Sequence, residues 1–220
     1  MLKSITAAAA LSLVLIAPAS AATLSGTFDV VVANLTGLNS AESEANLANF
    51  NNAVANGDTT TFTYTGDIDF GTFDGTDATT IADWLATGPG AIGGAPDAGV
   101  LGQQLSSPNI NNGTATSTFF QFTLQGPLGA SDFTVVHDDG VALFDDGAFL
   151  GGNPGPTSQV TTPVAGFNGG EFSFVYVATN GDPSVLNVDV TPVPLPAAFP
   201  LLAGGIGLLG FLTWRRKRAA

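Results

Sequence analysis

The run His137-Asp138-Asp139-Gly140-Val141-Ala142-Leu143-Phe144-Asp145-Asp146-Gly147 holds the densest chemistry of the chain. It reads as a strand end, a tight acidic turn, a short strand and a second acidic turn. Asp-Gly pairs suit hairpin turns because both positions tolerate positive φ, so turn chemistry alone is one reading. The doubling supports another: Asp138-Asp139 and Asp145-Asp146 bring four carboxylates into two adjacent loops with no Lys or Arg to neutralise them. A hard divalent cation relieves such repulsion most simply, and an oxygen-only donor set favours calcium. On that reading Asp138, Asp139, Asp145 and Asp146 are metal ligands and calcium is the cofactor. His137, the single histidine, has the chemistry of a metal ligand or a general base, although a lone histidine beside a turn commonly does neither.

Other polar clusters are less telling. Asp67 to Asp77 has the wrong spacing for an EF-hand, whose glycine and terminal Glu are missing; calcium in an irregular loop is one reading, and a solvated turn is the favoured one. The asparagines of Asn109-Ile110-Asn111-Asn112-Gly113 read as turn residues. Charge distribution sets wider limits. The five basic residues are Lys3, Arg215, Arg216, Lys217 and Arg218, whereas all 18 acidic residues fall between Asp29 and Asp189. The central region is a polyanion, which repels phosphate backbones and anionic headgroups and excludes nucleic acid as its partner. Catalysis is poorly provided for. The region has one His, no Cys, no Lys and no Arg, no Gly-x-Ser-x-Gly elbow, and no cationic clamp for phosphoryl transfer. Paired-carboxylate glycoside hydrolysis stays chemically allowed, with Glu171 beside the four aspartates as candidates. The expectation is a protein that is not an enzyme.

The elements that must position these residues are mainly strands. Alternating or β-branched runs at Thr27 to Val32, Thr59 to Tyr64, Ser117 to Leu124, Ser131 to Val136, Val141 to Phe144, Glu171 to Ala178 and Val185 to Thr191 are separated by Gly, Asn, Asp and Pro. Seven such runs predict a mainly β fold, a β-sandwich or jelly-roll-like barrel. The strand at Glu171 is apolar on both faces, which places it centrally. One helical insert is expected over Ser40 to Ala55, with Ser40 as cap, Glu42 and Glu44 at the positive end of the dipole, and Leu47, Phe50 and Val54 at helical spacing. A shorter helical turn is expected over Thr80 to Ala86, and loops over Gly88 to Gly99 and Gly151 to Pro156.

The two ends read as addresses. Residues 1–22 carry Lys3, an apolar run from Ile5 to Ile16, and the small residues Ala19-Ser20-Ala21, the pattern of a secretory signal peptide cut by signal peptidase. Residues 23–191 form the acidic extracytoplasmic β domain. Residues 192–220 hold Val193-Pro194-Leu195-Pro196-Ala197, an apolar transmembrane stretch from Ala198 to Trp214, and the stop-transfer cluster Arg215-Arg216-Lys217-Arg218. Seventeen residues at helical rise cover about 26 Å, close to a hydrocarbon core. The cations keep the tail cytoplasmic, so the acidic domain is translocated. Gly204, Gly205, Gly207 and Gly210 suit close contact with another membrane helix.

The last 28 or so residues resemble the PEP-CTERM class of bacterial sorting signals in its VPLPA variant. The resemblance implies recognition by an exosortase, a polytopic transpeptidase-like membrane enzyme, and cleavage near the Pro-rich string. It also implies an inner-membrane intermediate followed by transfer to the cell surface or matrix of a Gram-negative bacterium that makes exopolysaccharide. A permanent single-span anchor is the alternative reading of the same topology. The stretch from Phe133 to Val190 is similar to the protective-antigen-type β-barrel family of bacterial toxins, glycosidases and fungal adhesins. The likeness lies in Asp138-Asp139-Gly140, Asp146-Gly147, Phe174-Val175-Tyr176 and Asn180-Gly181-Asp182-Pro183-Ser184-Val185-Leu186. It implies that Asp138 and Asp139 hold a calcium ion that touches sugar hydroxyls, with Asn168 or Asn180 as a further ligand. Two functions follow as expectations: a surface module that binds extracellular polysaccharide through calcium, or a structural surface or biofilm-matrix protein without a specific ligand site.

Overall fold

The computed structural model describes residues 20–71, 79–108 and 110–193. The signal segment up to Ala19, Pro194 to Ala197 of the sorting motif, the apolar span, Arg215 to Arg218, and Asp74 and Asp77 lie outside these residues. Twelve strands follow in chain order: β1 Ala22–Thr23, β2 Ser25–Leu38, β3 Asp58–Asp67, β4 Asp69–Phe70, β5 Ala91–Gly93 and β6 Ala115–Leu124, then β7 Ser131–Asp138, β8 Val141–Asp145, β9 Ala148–Asn153, β10 Val160–Phe167, β11 Phe172–Ala178 and β12 Val185–Pro192. Helices α1 Leu47–Asn56, α2 Ile81–Leu85 and α3 Ala98–Leu101 and a 3₁₀ turn at Ile110–Asn112 interrupt them.

Two antiparallel sheets result. The first runs β1-β12-β7-β10, with β4 also paired to β12; the second runs β5-β3-β2-β6-β11-β8-β9. Alternation along the strands dictates how they face each other. Phe28, Val30 and Val32 of β2, Phe120 and Phe122 of β6, and Phe172, Phe174 and Tyr176 of β11 point to one side of the second sheet. There they meet Phe133 and Val135 of β7 and Leu186 and Val188 of β12 from the first sheet. Each large side chain removed from water there contributes on the order of 1.5–3 kcal/mol. This is the expected β-sandwich.

The opposite side of the second sheet is apolar too. Ala33, Phe119, Phe144, Val175 and Val177 form a second cluster with Phe50 and Ala53 of α1. A helix over one face and a sheet over the other explain why all seven residues of β11 are buried.

All seven expected strands are present, and Thr80 caps α2 with a reciprocal Thr80–Asp83 capping box. Helix α1 starts later than its acidic lead suggests. The Asn39 carboxamide accepts from the backbone of Ala41 and Glu42, and Glu42 Oε2 accepts from the Asn39 N–H. These bonds close a separate turn, and the true cap is Asn46, whose side chain accepts from Asn49 N at 2.9 Å. The loop expected over Gly151 to Pro156 is strand as far as Asn153, and the Gly88 to Gly99 stretch holds β5.

Strand order also corrects the reading of the acidic turns. β7 belongs to the first sheet and β8 to the second, so Asp139-Gly140 is a corner between sheets. Asp146-Gly147 is a true hairpin: Asp145 pairs with Ala148, and both turn residues have positive φ, 49° and 75°.

Candidate metal and ligand site

The corner is held from several directions. Asp138 closes β7 opposite Val185 of β12, and Val141 opens β8 opposite Tyr176 of β11. The Asp138–Asp139 peptide bond is cis. The Tyr176 hydroxyl donates to the Asp138 carbonyl, and Val177 N donates to the Gly140 carbonyl at 2.9 Å. A Cβ at Gly140 would stand 2.1 Å from the Pro154 carbonyl oxygen, so only glycine fits this close approach.

His137 is spent on the same corner. Its Nδ1 bonds to the Asp139 carbonyl, which can only accept, so that nitrogen carries the proton. Its Nε2 meets Thr162 Oγ1 at 2.8 Å. Burial lowers its pKa and favours the neutral ring. Both nitrogens are occupied, which makes His137 a positioning residue.

The two carboxyl groups have no Lys or Arg beside them among the described residues. Asp138 is 7 % exposed and Asp139 3 %. Asp139 Oδ2 accepts from Thr179 N at 2.9 Å, and its Oδ1 from Thr157 N at 3.2 Å. These two bonds do not offset desolvation: burial first, then the neighbouring Asp138 charge, pushes the Asp139 carboxyl up to about 8. Burial likewise pushes Asp138 up to about 6.

Both aspartates line a cavity of about 430 Å³ at this end of the sandwich. Its walls include Ser40, Asn111, Thr157, Asn180 and Asp182. Asn180 holds a φ of 64° there, and Ser40 Oγ donates to Asn111 Oδ1 at 3.1 Å. Asp182 Oδ2 accepts from Thr79 Oγ1 at 3.2 Å. Behind the wall a buried hydroxyl chain runs from Thr179 Oγ1 to Ser117 Oγ at 2.7 Å and on to Ser43 Oγ at 2.9 Å. Among the described residues no group of three His, Asp or Glu side chains is set to hold a metal. A hard cation here would take two adjacent carboxylates and complete its shell from neutral oxygens such as carboxamide, carbonyl and water. Two adjacent buried carboxyls in a cavity lined by carboxamide and hydroxyl groups fit that demand.

Asp145 and Asp146 are elsewhere. Five extended residues of β8 separate the two acidic turns by about 13 Å, so the four carboxylates do not converge. Asp145 accepts from Asn168 N at 2.9 Å and Gly170 N at 3.1 Å, and Asp146 from Glu171 N at 2.7 Å. They tie the hairpin to the Asn168–Glu171 loop. Of the two candidate asparagines, Asn180 lines the aspartate cavity and Asn168 sits with this hairpin. Asp67 and Asp69 flank Ile68 beside β12, away from the cavity. Val193 N donates to the Ala130 carbonyl at 2.9 Å.

No family model and no curated protein matches the chain. Three solved structures are similar to it in fold. A PA14 sugar-binding domain from an RTX adhesin is 18 % identical over 74 % of this chain and 89 % of that one, with a TM-score of 0.45. The PA14 domain of the MpAFP antifreeze protein is 16 % identical over 75 % and 82 %, with a TM-score of 0.47. The GH31 α-xylosidase of Xanthomonas citri is 9 % identical over 83 % of this chain and 16 % of that enzyme, with a TM-score of 0.34. Likeness at this level carries no functional weight, and the site stands on its own geometry.

Proposed function

We propose that this chain is an exported, non-catalytic surface module that binds extracellular polysaccharide through a calcium ion held by Asp138 and Asp139. One observation carries the reading: two adjacent buried carboxyls, with no Lys or Arg among the described residues, share a cavity whose walls also offer neutral oxygens. Calcium bound there supplies a positive centre that accepts sugar hydroxyls in place of water. Asn180 offers a carboxamide oxygen beside it, and Ser40, Asn111 and Asp182 line the space where a sugar would lie. Asp139 is aimed by Thr157 and Thr179 and by His137 beneath its carbonyl.

Export and display follow the proposed sorting route, with signal peptidase acting near Ala21 and an exosortase near Val193 to Ala197. Intact-mass analysis of native surface material tests it. Peptides spanning Phe199 to Trp214 in the mature protein refute processing.

The binding reading is tested by thermal unfolding of the chain with excess calcium and with chelator, because a ligand specific to the folded state raises stability by RT ln(1 + [L]/Kd). A saturating rise, abolished by Asp138→Asn with Asp139→Asn, supports it. Absence of any rise overturns it and leaves the surface-coat or matrix role. Retention on the organism's own polysaccharide, lost in the same double variant, then tests the sugar.

A further inference from the structure

A second cavity, of about 400 Å³, opens where β2 ends, α1 gives way to β3, and the Gln103-Gln104 loop crosses β6. Its chemistry differs from that of the aspartate cavity. Asn34, Asn56, Gln103 and Gln104 bring carboxamides, Thr36 and Thr116 hydroxyls, and Asp58 the one carboxylate. We infer that this amide-lined cleft is a binding site for neutral, polyhydroxylated ligands of the saccharide type, working without a metal.

Elimination supports the ligand class. The described residues contain no Lys or Arg, so an anion finds no counter-charge. A single carboxylate, already accepting from Gln103 Nε2 at 2.7 Å, falls short of what a divalent cation needs. Leu35 is the one aliphatic side chain of any length in the lining, so a large apolar ligand gains little. Groups that both donate and accept remain.

The polar atoms are held ready for such a ligand. The bond to Asp58 fixes the Gln103 carboxamide in the lining. Thr36 and Thr116 share one hydrogen bond at 3.0 Å, so one of their two hydroxyl protons stays available to donate. Asn34 commits its nitrogen to the Gln104 carbonyl at 3.0 Å and Thr118 Oγ1 at 2.7 Å, which orients its side chain. Asn34 and Ala178 flank Thr118 on either side across the second sheet. The cleft therefore lies about two strand spacings, or about 10 Å, from Thr179 and the aspartate cavity.

Backbone amide NMR on the full chain tests the inference, in a detergent without a sugar headgroup and with chelator present. The probes are glucose, galactose, mannose, N-acetylglucosamine and their disaccharides, at up to tens of millimolar. At least one is expected to give saturable shifts at Leu35, Gly57, Asp58 and Gln103 while Thr157 and Thr179 stay still. Gln103→Ala and Thr36→Val, each checked for an otherwise unchanged spectrum, should weaken binding by about tenfold. No shift from any probe, shifts confined elsewhere, or undiminished binding in both variants overturns it. The calcium reading is judged separately by adding calcium and watching Thr157 and Thr179, so either site can fail alone.

Discussion

Replacing Asp139 with Asn should stabilise the metal-free protein at alkaline pH, against the usual expectation for a buried, hydrogen-bonded residue. The Asp139 carboxyl rises from 3.8 to about 8 in the fold, through burial and then the Asp138 charge. A group raised in this way stabilises the fold fully below its unfolded value, and that stability is lost as pH climbs through the folded value. The window here runs from about pH 4 to about pH 8. Four units at about 1.4 kcal/mol each set a ceiling of about 6 kcal/mol on the cost of the ionised form. Against that gain, Asn has one accepting oxygen for the two N–H groups of Thr157 and Thr179, and the orphaned donor costs about 1–3 kcal/mol. The net effect above pH 8 is a gain of at most about 3–5 kcal/mol. For a domain of this size that is a rise of up to about 6–20 °C in Tm. Calorimetry in chelator at pH 5 and pH 8.5 reads it. Wild type should melt lower at the higher pH, the variant should fall by clearly less because only the Asp138 carboxyl, raised to about 6, still ionises there, and calcium should rescue wild type alone. Equal wild-type stability at both pH values, or a variant less stable than wild type at pH 8.5 in chelator, refutes the uncompensated buried carboxyl.

Other substitutions separate the parts of the site. Gly140→Ala places a methyl group 2.1 Å from the Pro154 carbonyl; calorimetry should show a loss of several kcal/mol and no calcium response. Asp145→Asn with Asp146→Asn should leave the calcium-dependent rise in Tm intact, since the hairpin lies at the far end of β8. Trp84→Ala removes a fully buried ring stacked on Phe70 and Tyr176, and with it the indole bond to the Ser184 carbonyl at 3.1 Å. Urea unfolding should register about 3–5 kcal/mol.

Local pattern revealed the core and concealed the edges. The long central strands announced themselves, and β11, apolar on both sides, was legible as central because two layers really cover it. The missed strands β1, β4, β5, β9 and β10 all lie at sheet edges. β9 carries Gly151 and Gly152 and β10 carries Pro163, residues that edges tolerate and that mimic loops in sequence. At the site, the doubled Asp138-Asp139 was visible as chemistry, but its burial was not. Burial depends on β7 and β8 lying in different sheets, and an Asp-Gly pair looks the same in a corner as in a hairpin. The convergence of four carboxylates failed on strand length alone, because an extended β8 holds its ends apart. Nothing local marks the amide-lined cleft, whose walls come from residues as far apart in sequence as Asn34 and Thr116.

Strand β12 joins two ends of the molecule. Its first residue, Val185, pairs with Asp138, and its last, Pro192, pairs with Ser131, a span of about 23 Å in extended chain. Ala22 pairs with Val190 beside that last turn. Both routes out of the sandwich therefore open at one pole, and the aspartate cavity faces the other. Grafted by either end to a bead, a sensor chip or an envelope, the domain stands like a lamp on its bracket, with the cavity turned outward and its approach unobstructed by the support.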